Sequence, residues 1–168
     1  MAQLEWSDAL NLDLPLMDNT HREFVDLLAE VAHADDPQLL SRWRVLVDHT
    51  AEHFGQEDAW MLSTRFASGN CHSMQHKVVL QVMREGIALA ESGDLQPIRV
   101  MASELALWFP QHAQSMDAAL ALHLRRVGFD PATGVVHAPQ ALPGDLIQGC
   151  GGATCSEHSE QPQEEAAA

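Results

Sequence analysis

The sequence predicts an all-α protein: an up-down-up-down four-helix bundle with an N-terminal arm and a disordered C-terminal tail. Three observations lead there. Four segments repeat apolar residues at helical spacing. Short breaks rich in Gly, Pro, Asn and Asp separate them, and loops that short return each helix antiparallel to its predecessor. The 168 residues are enough to bury one core without disulfides.

Residues 1–17 carry Leu4, Trp6, Leu10, Leu12, Leu14 and Leu16 at irregular spacing before and after Pro15, which reads as an extended arm anchored by Trp6. Asp18, Asn19 and Thr20 offer N-caps, and Thr20 with Glu23 has capping-box spacing, so the first helix is expected at about 18–33 with His21, Phe24, Leu28 and Val31 on one face. Asp36 and Pro37 supply a cap and a first-turn proline for a second helix running to about 65. Its stripe is Leu39, Trp43, Leu46, His49, Thr50, His53, Glu57 and Trp60. After Ser68, Gly69 and Asn70, a third helix aligns His72, His76, Val79, Met83 and Ala90 and stops at Gly93. Asp94 and Pro97 open a fourth, aligning Ile98, Met101, Leu105, Trp108, His112 and Met116, which ends at Gly128. Pro110 lies inside it and should kink it beside His112, because it cannot bond the Ala106 carbonyl. The bundle is therefore assigned to residues 1–128. Residues 129–168, without Lys or Arg and rich in Gly, Pro, Ser and acids, form the tail, where Val135, Val136, Leu142 and Ile147 are the residues able to dock locally.

Charge and composition exclude several functions. A formal net charge of -15 argues against nucleic acid and anionic membrane surfaces, which are held by clustered Lys and Arg. No stretch approaches the roughly 20 apolar residues of a membrane span. The N-terminus has neither the basic residues nor the unbroken apolar run of a signal peptide, and only Cys71, Cys150 and Cys155 are present, so a reducing cytoplasm is the expected location.

Five histidines fall on inward stripes, at 21, 53, 72, 76 and 112, with Glu57 and Asp117. His53 and Glu57, like His72 and His76, are four residues apart and so project from one helix face a turn apart. The five-residue step from His112 turns Asp117 by about 140°, so it is not stacked over His112, but it can reach a second ion further along the axis. Burying so many imidazoles and carboxylates without a cation would cost several kcal/mol per uncompensated group. A metal centre is the economical explanation. Imidazole with carboxylate suits iron, zinc, copper or nickel, and no cysteine lies among these positions. Seven ligands exceed one ion's capacity. Of about twelve positions on two octahedral ions, five histidines and two bridging carboxylates fill nine, and a bridging solvent oxygen fills two more. One position stays open for a small exogenous molecule.

The residues carrying this pattern are His21 with Phe24, HFGQE at 53–57, HSMQH at 72–76 and WFPQHAQSMD at 108–117. Together with Trp6 in the arm, they resemble hemerythrin, specifically its bacterial single-domain form, over about residues 4–127. The resemblance implies two irons: His72, His76 and His112 would bind one, His21 and His53 the other, with Glu57 and Asp117 bridging. It also implies reversible dioxygen binding at the two-histidine iron, for storage, delivery or sensing, and no enzymatic turnover. A protein partner is not indicated. The alternatives are a di-iron enzyme consuming peroxide, dioxygen or nitric oxide, suggested by His49 and the Pro110 kink, and an oxygen or redox sensor acting through the tail.

Other residues read as structural. His49, one turn before His53, stands where relatives more often carry an aromatic residue and is assigned a nonligand role. Asp58, offset by 100° from Glu57, is expected to be solvated or capping. Trp43, Trp60, Trp108, Met83, Met101 and Met116 are expected in the core, and His33, His123 and His137 at the surface. Cys150, Cys155 and His158 fit no common zinc spacing and are read as incidental.

Overall fold

The computed structural model describes residues 4–66, 71–145 and 147. Its helices are α1 (Pro15–His33), α2 (Asp36–Ser63), α3 (Cys71–Glu91), α4 (Gln96–His112) and α5 (Ala118–Arg126), with a π-helical turn, Ala113–Asp117, joining the last two into one rod. Each of the first four packs on its neighbour in sequence, and α1 also packs on α4, which closes the expected up-down-up-down bundle.

The helix starts differ in detail from the expectation, for local reasons. Helix α1 begins at Pro15, whose fixed φ and missing N–H suit the first helical position. Asp18 does not cap from outside. It is buried one turn in, and its carboxylate reaches back to accept the N–H groups of Leu12 (2.7 Å) and Leu14 (3.1 Å), fastening the arm. The Thr20–Glu23 box does not form, because Thr20 Oγ1 donates to the Leu16 carbonyl within the helix. Asp35, not Asp36, is the N-cap of α2, accepting from Gln38 N at 3.1 Å. Helix α3 ends on Gly93 at φ 101°, where the Asp94 N–H reaches the Leu89 carbonyl, the paired closure that a left-handed glycine permits. In the arm, a 3-10 turn at Asp8–Leu10 buries Leu10, while Arg22 lies 4.5 Å over the half-buried Trp6 ring.

Pro110 does not end the helix or leave a sharp break. The irregularity lies just beyond it, where the Ala118 N–H bonds the Ala113 carbonyl five residues back.

Two apolar clusters bracket a polar layer. One contains Phe24, Leu28, Trp43, Leu46, Met83, Ile98 and Phe109, and the other Met17, Trp60, Met61, Leu120, Leu124 and Phe129. Along α1, α2 and the α4–α5 rod, the chain passes from one cluster to the other through the site residues. Trp43 and Met83 are fully buried as expected, with the Trp43 indole N–H donating to the Met83 carbonyl at 2.9 Å, and Trp60 is buried too. Trp108, Met101 and Met116 are half-buried.

Beyond Gly128 the described chain is ordered against the bundle. Strands β1 (Phe129–Asp130) and β2 (Val135–Val136) pair antiparallel, and Val136, Leu142 and Ile147 pack on the second cluster, whereas Val135 is exposed. The readings for Cys150, Cys155 and His158 lie outside the described residues. Cys71 is disulfide-bonded, which the reading of the cysteines as dispensable did not anticipate. Among the described residues, no helix is long and apolar enough to cross a membrane.

Candidate metal centre

All seven predicted ligands converge in the polar layer, none more than 3% exposed. Helix α1 contributes His21, α2 contributes His53 and Glu57, α3 contributes His72 and His76, and the α4–α5 rod contributes His112 and Asp117. They form two overlapping groups whose ligand atoms lie within 4.8 Å of one another. One comprises His72, His76, His112, Glu57 and Asp117, and the other His21, His53, Glu57 and Asp117.

The contacts show how the carboxylates are shared. Glu57 turns Oε1 to His53 Nε2 (3.0 Å) and His21 Nε2 (3.7 Å), and Oε2 to His76 Nε2 (3.4 Å) and His72 Nε2 (3.5 Å). Asp117 turns Oδ2 to His21 Nε2 (3.3 Å) and Oδ1 to His72 Nε2 (2.9 Å) and His112 Nε2 (3.1 Å). Each carboxylate thus gives one oxygen to each group. Bonds of about 2.1 Å meeting at right angles put neighbouring ligand atoms about 3.0 Å apart, close to most of these separations.

The π turn explains a departure from the sequence expectation. A regular α-helix would rotate Asp117 away from His112, but i→i+5 bonding takes one extra residue into the turn and brings the two side chains together.

Buried polar atoms supply the test of fit. The buried side-chain nitrogens and oxygens without a hydrogen-bond partner are both ring nitrogens of His21 and of His72, His53 Nδ1, Glu57 Oε2 and both oxygens of Asp117. Among the described residues, all such atoms belong to this site. Orphaned groups in the core are costly, and a cation satisfies them together, so the donor set fits a metal. Without one, protons fill part of the role. Burial opposes charge on His21 and His72, yet Asp117 and Glu57 outweigh it and raise both to about 9. Burial likewise opposes charge on Glu57 and Asp117. The facing imidazoles, His53 foremost for Glu57 and His112 for Asp117, nevertheless hold both well below the ordinary carboxylate range.

The outer faces of the imidazoles carry two contacts that sequence reasoning missed. Asp58, expected to be solvated or capping, accepts from His76 Nδ1 at 3.0 Å, and Gln75 Oε1 accepts from His112 Nδ1 at 3.2 Å. These partners fix the tautomer that presents Nε2 inward. The Phe54 ring stacks on His76 at 4.0 Å and the Trp108 indole on His112 at 4.4 Å. Phe109 stands edge-on to His21 at 5.2 Å and stacks on Phe24.

The remaining histidines divide. His49 stands outside both ligand groups: its Nε2 donates to the Thr20 carbonyl at 3.1 Å, tying α2 to α1, and burial lowers its pKa. His33 and His137 are exposed, as expected. His123 is not a surface residue. It is 8% exposed and its Nε2 donates to the Thr64 carbonyl at 3.0 Å, which links α5 to the end of α2.

Fold and site together define a helical-bundle protein that holds cations between its helices. Residues 12–122 match the family described as "Hemerythrin HHE cation binding domain", and the chain belongs to the hemerythrin family. It is 35% identical to a bacteriohemerythrin of Ralstonia nicotianae (strain ATCC BAA-1114 / GMI1000) over 130 residues, covering 77% of this chain and 95% of that protein. It is also similar to bacteriohemerythrins of Stenotrophomonas maltophilia (strain R551-3), 27% identical over 72% of this chain and 81% of the relative, and of Pseudomonas aeruginosa (strain LESB58), 24% identical over 70% and 79%. No solved structure matches the chain.

Proposed function

We propose that this chain holds two irons and binds dioxygen reversibly, for storage, delivery or sensing, without enzymatic turnover. The observation that carries the proposal is the pair of ligand groups sharing Glu57 and Asp117, with three histidines in one and two in the other. His72, His76 and His112 would hold one iron, His21 and His53 the second, and the two carboxylates both. When bound, the irons supply a reversible two-electron couple for dioxygen.

The chain's own contribution is to hold that couple in place. Asp58 and Gln75 orient His76 and His112 through their outer nitrogens, and Phe54 and Trp108 clamp the same two rings. On the two-histidine side, Phe109 and Phe24 give His21 an apolar wall that excludes water and anions. The enzyme alternative drew on His49 and Pro110. His49 is engaged with Thr20, and the helix beyond Pro110 is drawn into a π turn that brings Asp117 to the site, so neither feature favours turnover.

The functional unit in this proposal is residues 1–128. A cytoplasmic location is part of this reading, and cell fractionation tests it. The decisive experiment is metal analysis with optical spectra. About two irons per chain are expected, with a band that appears when the reduced protein meets air and disappears on deoxygenation. Irreversible oxidation without that band would overturn reversible binding, and zinc at one per chain would overturn the di-iron reading.

A further inference from the structure

Outside His53, a surface cleft of about 200 Å³ is lined by Thr20, Glu23, His49, Glu52 and His53, among others. His49 Nε2 contacts the Thr20 carbonyl, which can only accept, so Nε2 carries the ring proton. In the neutral imidazole Nδ1 then presents a lone pair. Nδ1 lies 3.8 Å from Glu23 Oε2. Two acceptors at this distance, too long for a hydrogen bond, leave a gap that a cation fills. Metal bonds of about 2.1 Å to both atoms span 3.8 Å at an angle of about 130°.

A second observation points inward. His53 is 3% exposed, lines the same cleft, and has no partner for its Nδ1. Its ring centroid lies 6.4 Å from that of His49, one helical turn further along α2. His53 is thus shared between the cleft and the two-histidine group. The cleft's outer donor is suited to capture rather than storage, because the Glu23 side chain is 67% exposed while that of His49 is 15% exposed.

We propose that the Glu23–His49 pair, with Glu52 beside it, is a transit site for divalent cations, through which ferrous ion reaches His53 and the centre. The inference rests on the metal-centre reading above. It assigns His49 a role in metal uptake, not in ligand chemistry at the loaded centre.

Uptake kinetics test it. Metal-free protein, shown to be helical by circular dichroism, is mixed anaerobically with Fe²⁺ and separately with Co²⁺ in a stopped-flow instrument. The wild type is compared with E23Q, H49Q and E85Q, the last removing an exposed carboxylate on α3. Loading is expected to slow about tenfold in E23Q and H49Q, at the low end of what local charge focusing gives an on-rate, with E85Q unaffected. All four proteins should reach the same metal content and spectrum. Equal rates throughout would overturn the transit site, as would an E85Q as slow as E23Q, which would mark a bulk charge effect. An H49Q protein that never reaches wild-type metal content would make His49 part of the centre and also overturn it. A wild type that takes up neither ion would remove the centre itself, an outcome distinct from a loaded centre with unchanged rates.

Discussion

Each of the five inward imidazoles presents Nε2 to a carboxylate, so they differ mainly in what restrains Nδ1. His76 has a carboxylate behind it and His112 an amide, while Nδ1 of His21, His53 and His72 has no partner among the described residues. Asp58→Asn should therefore weaken metal retention at the three-histidine group by about tenfold or more in competition with a chelator, with helicity preserved. Protons set a second expectation. In the metal-free chain His21 and His72 have pKa values raised to about 9, so their stabilising charge is fully present below the unfolded value of 6.5 and is lost as pH rises through about 9. Glu57 and Asp117 have depressed values, so their contribution is present above the ordinary carboxylate range and is lost as pH falls below it. Metal displaces the imidazole protons. Loading at pH 7 should release about two per chain in a pH-stat, and fewer near pH 9. Four of the seven positions, His53, Glu57, His72 and His76, were legible because four-residue steps within helices announce a shared face, whereas His21, His112 and Asp117 were read from inward stripes and from the family resemblance. Asp58, Gln75 and His123 were not legible, because each meets its partner across helices, where spacing along one chain segment says nothing.

At the scale of the element, the π turn is the least regular piece of the rod and the one that delivers Asp117. It accommodates a five-residue spacing where α2 and α3 use four. Deleting Ser115, which is exposed, should let the rod become continuous α-helix with the aspartate four residues after His112. Metal content is then expected to stay at the wild-type value. Inserting an alanine after Ser115 should turn the carboxylate away by about 100° and lower it, as elemental analysis would show. Pro110 was visible as an anomaly, but a proline specifies only a lost N–H, and packing decides whether the helix bends, breaks or widens. The true helix starts, at Pro15 and after Asp35, were blurred for a related reason. Several adjacent acidic or hydroxyl side chains could each cap, and tertiary fastening of the arm by Asp18 selects among them.

Across the whole molecule, a polar layer is held between two apolar clusters, so the bundle depends on what neutralises that layer. Stripping the metal removes ligand-linked stabilisation of about 4 kcal/mol at a thousandfold excess over Kd. Chelated protein should accordingly melt about 10 °C lower in a calorimeter, and recover on reloading. Bundle and connectivity could be read from four periodic segments and their breaks. The ribbon at 129–136 could not, since two-residue strands are below any periodic signal and form only because the α5 end and Phe129 offer them a surface. The two shared carboxylates reach furthest. Because each presents one oxygen to either group, an ion entering the first group of the proposed two-iron centre would also freeze the torsions on which the second depends, and the later arrival would meet an arrangement whose entropy has already been lost. In the proposed two-iron centre occupancy would then be cooperative, and a scarce metal supply would divide the population into complete and empty molecules rather than half-filled ones.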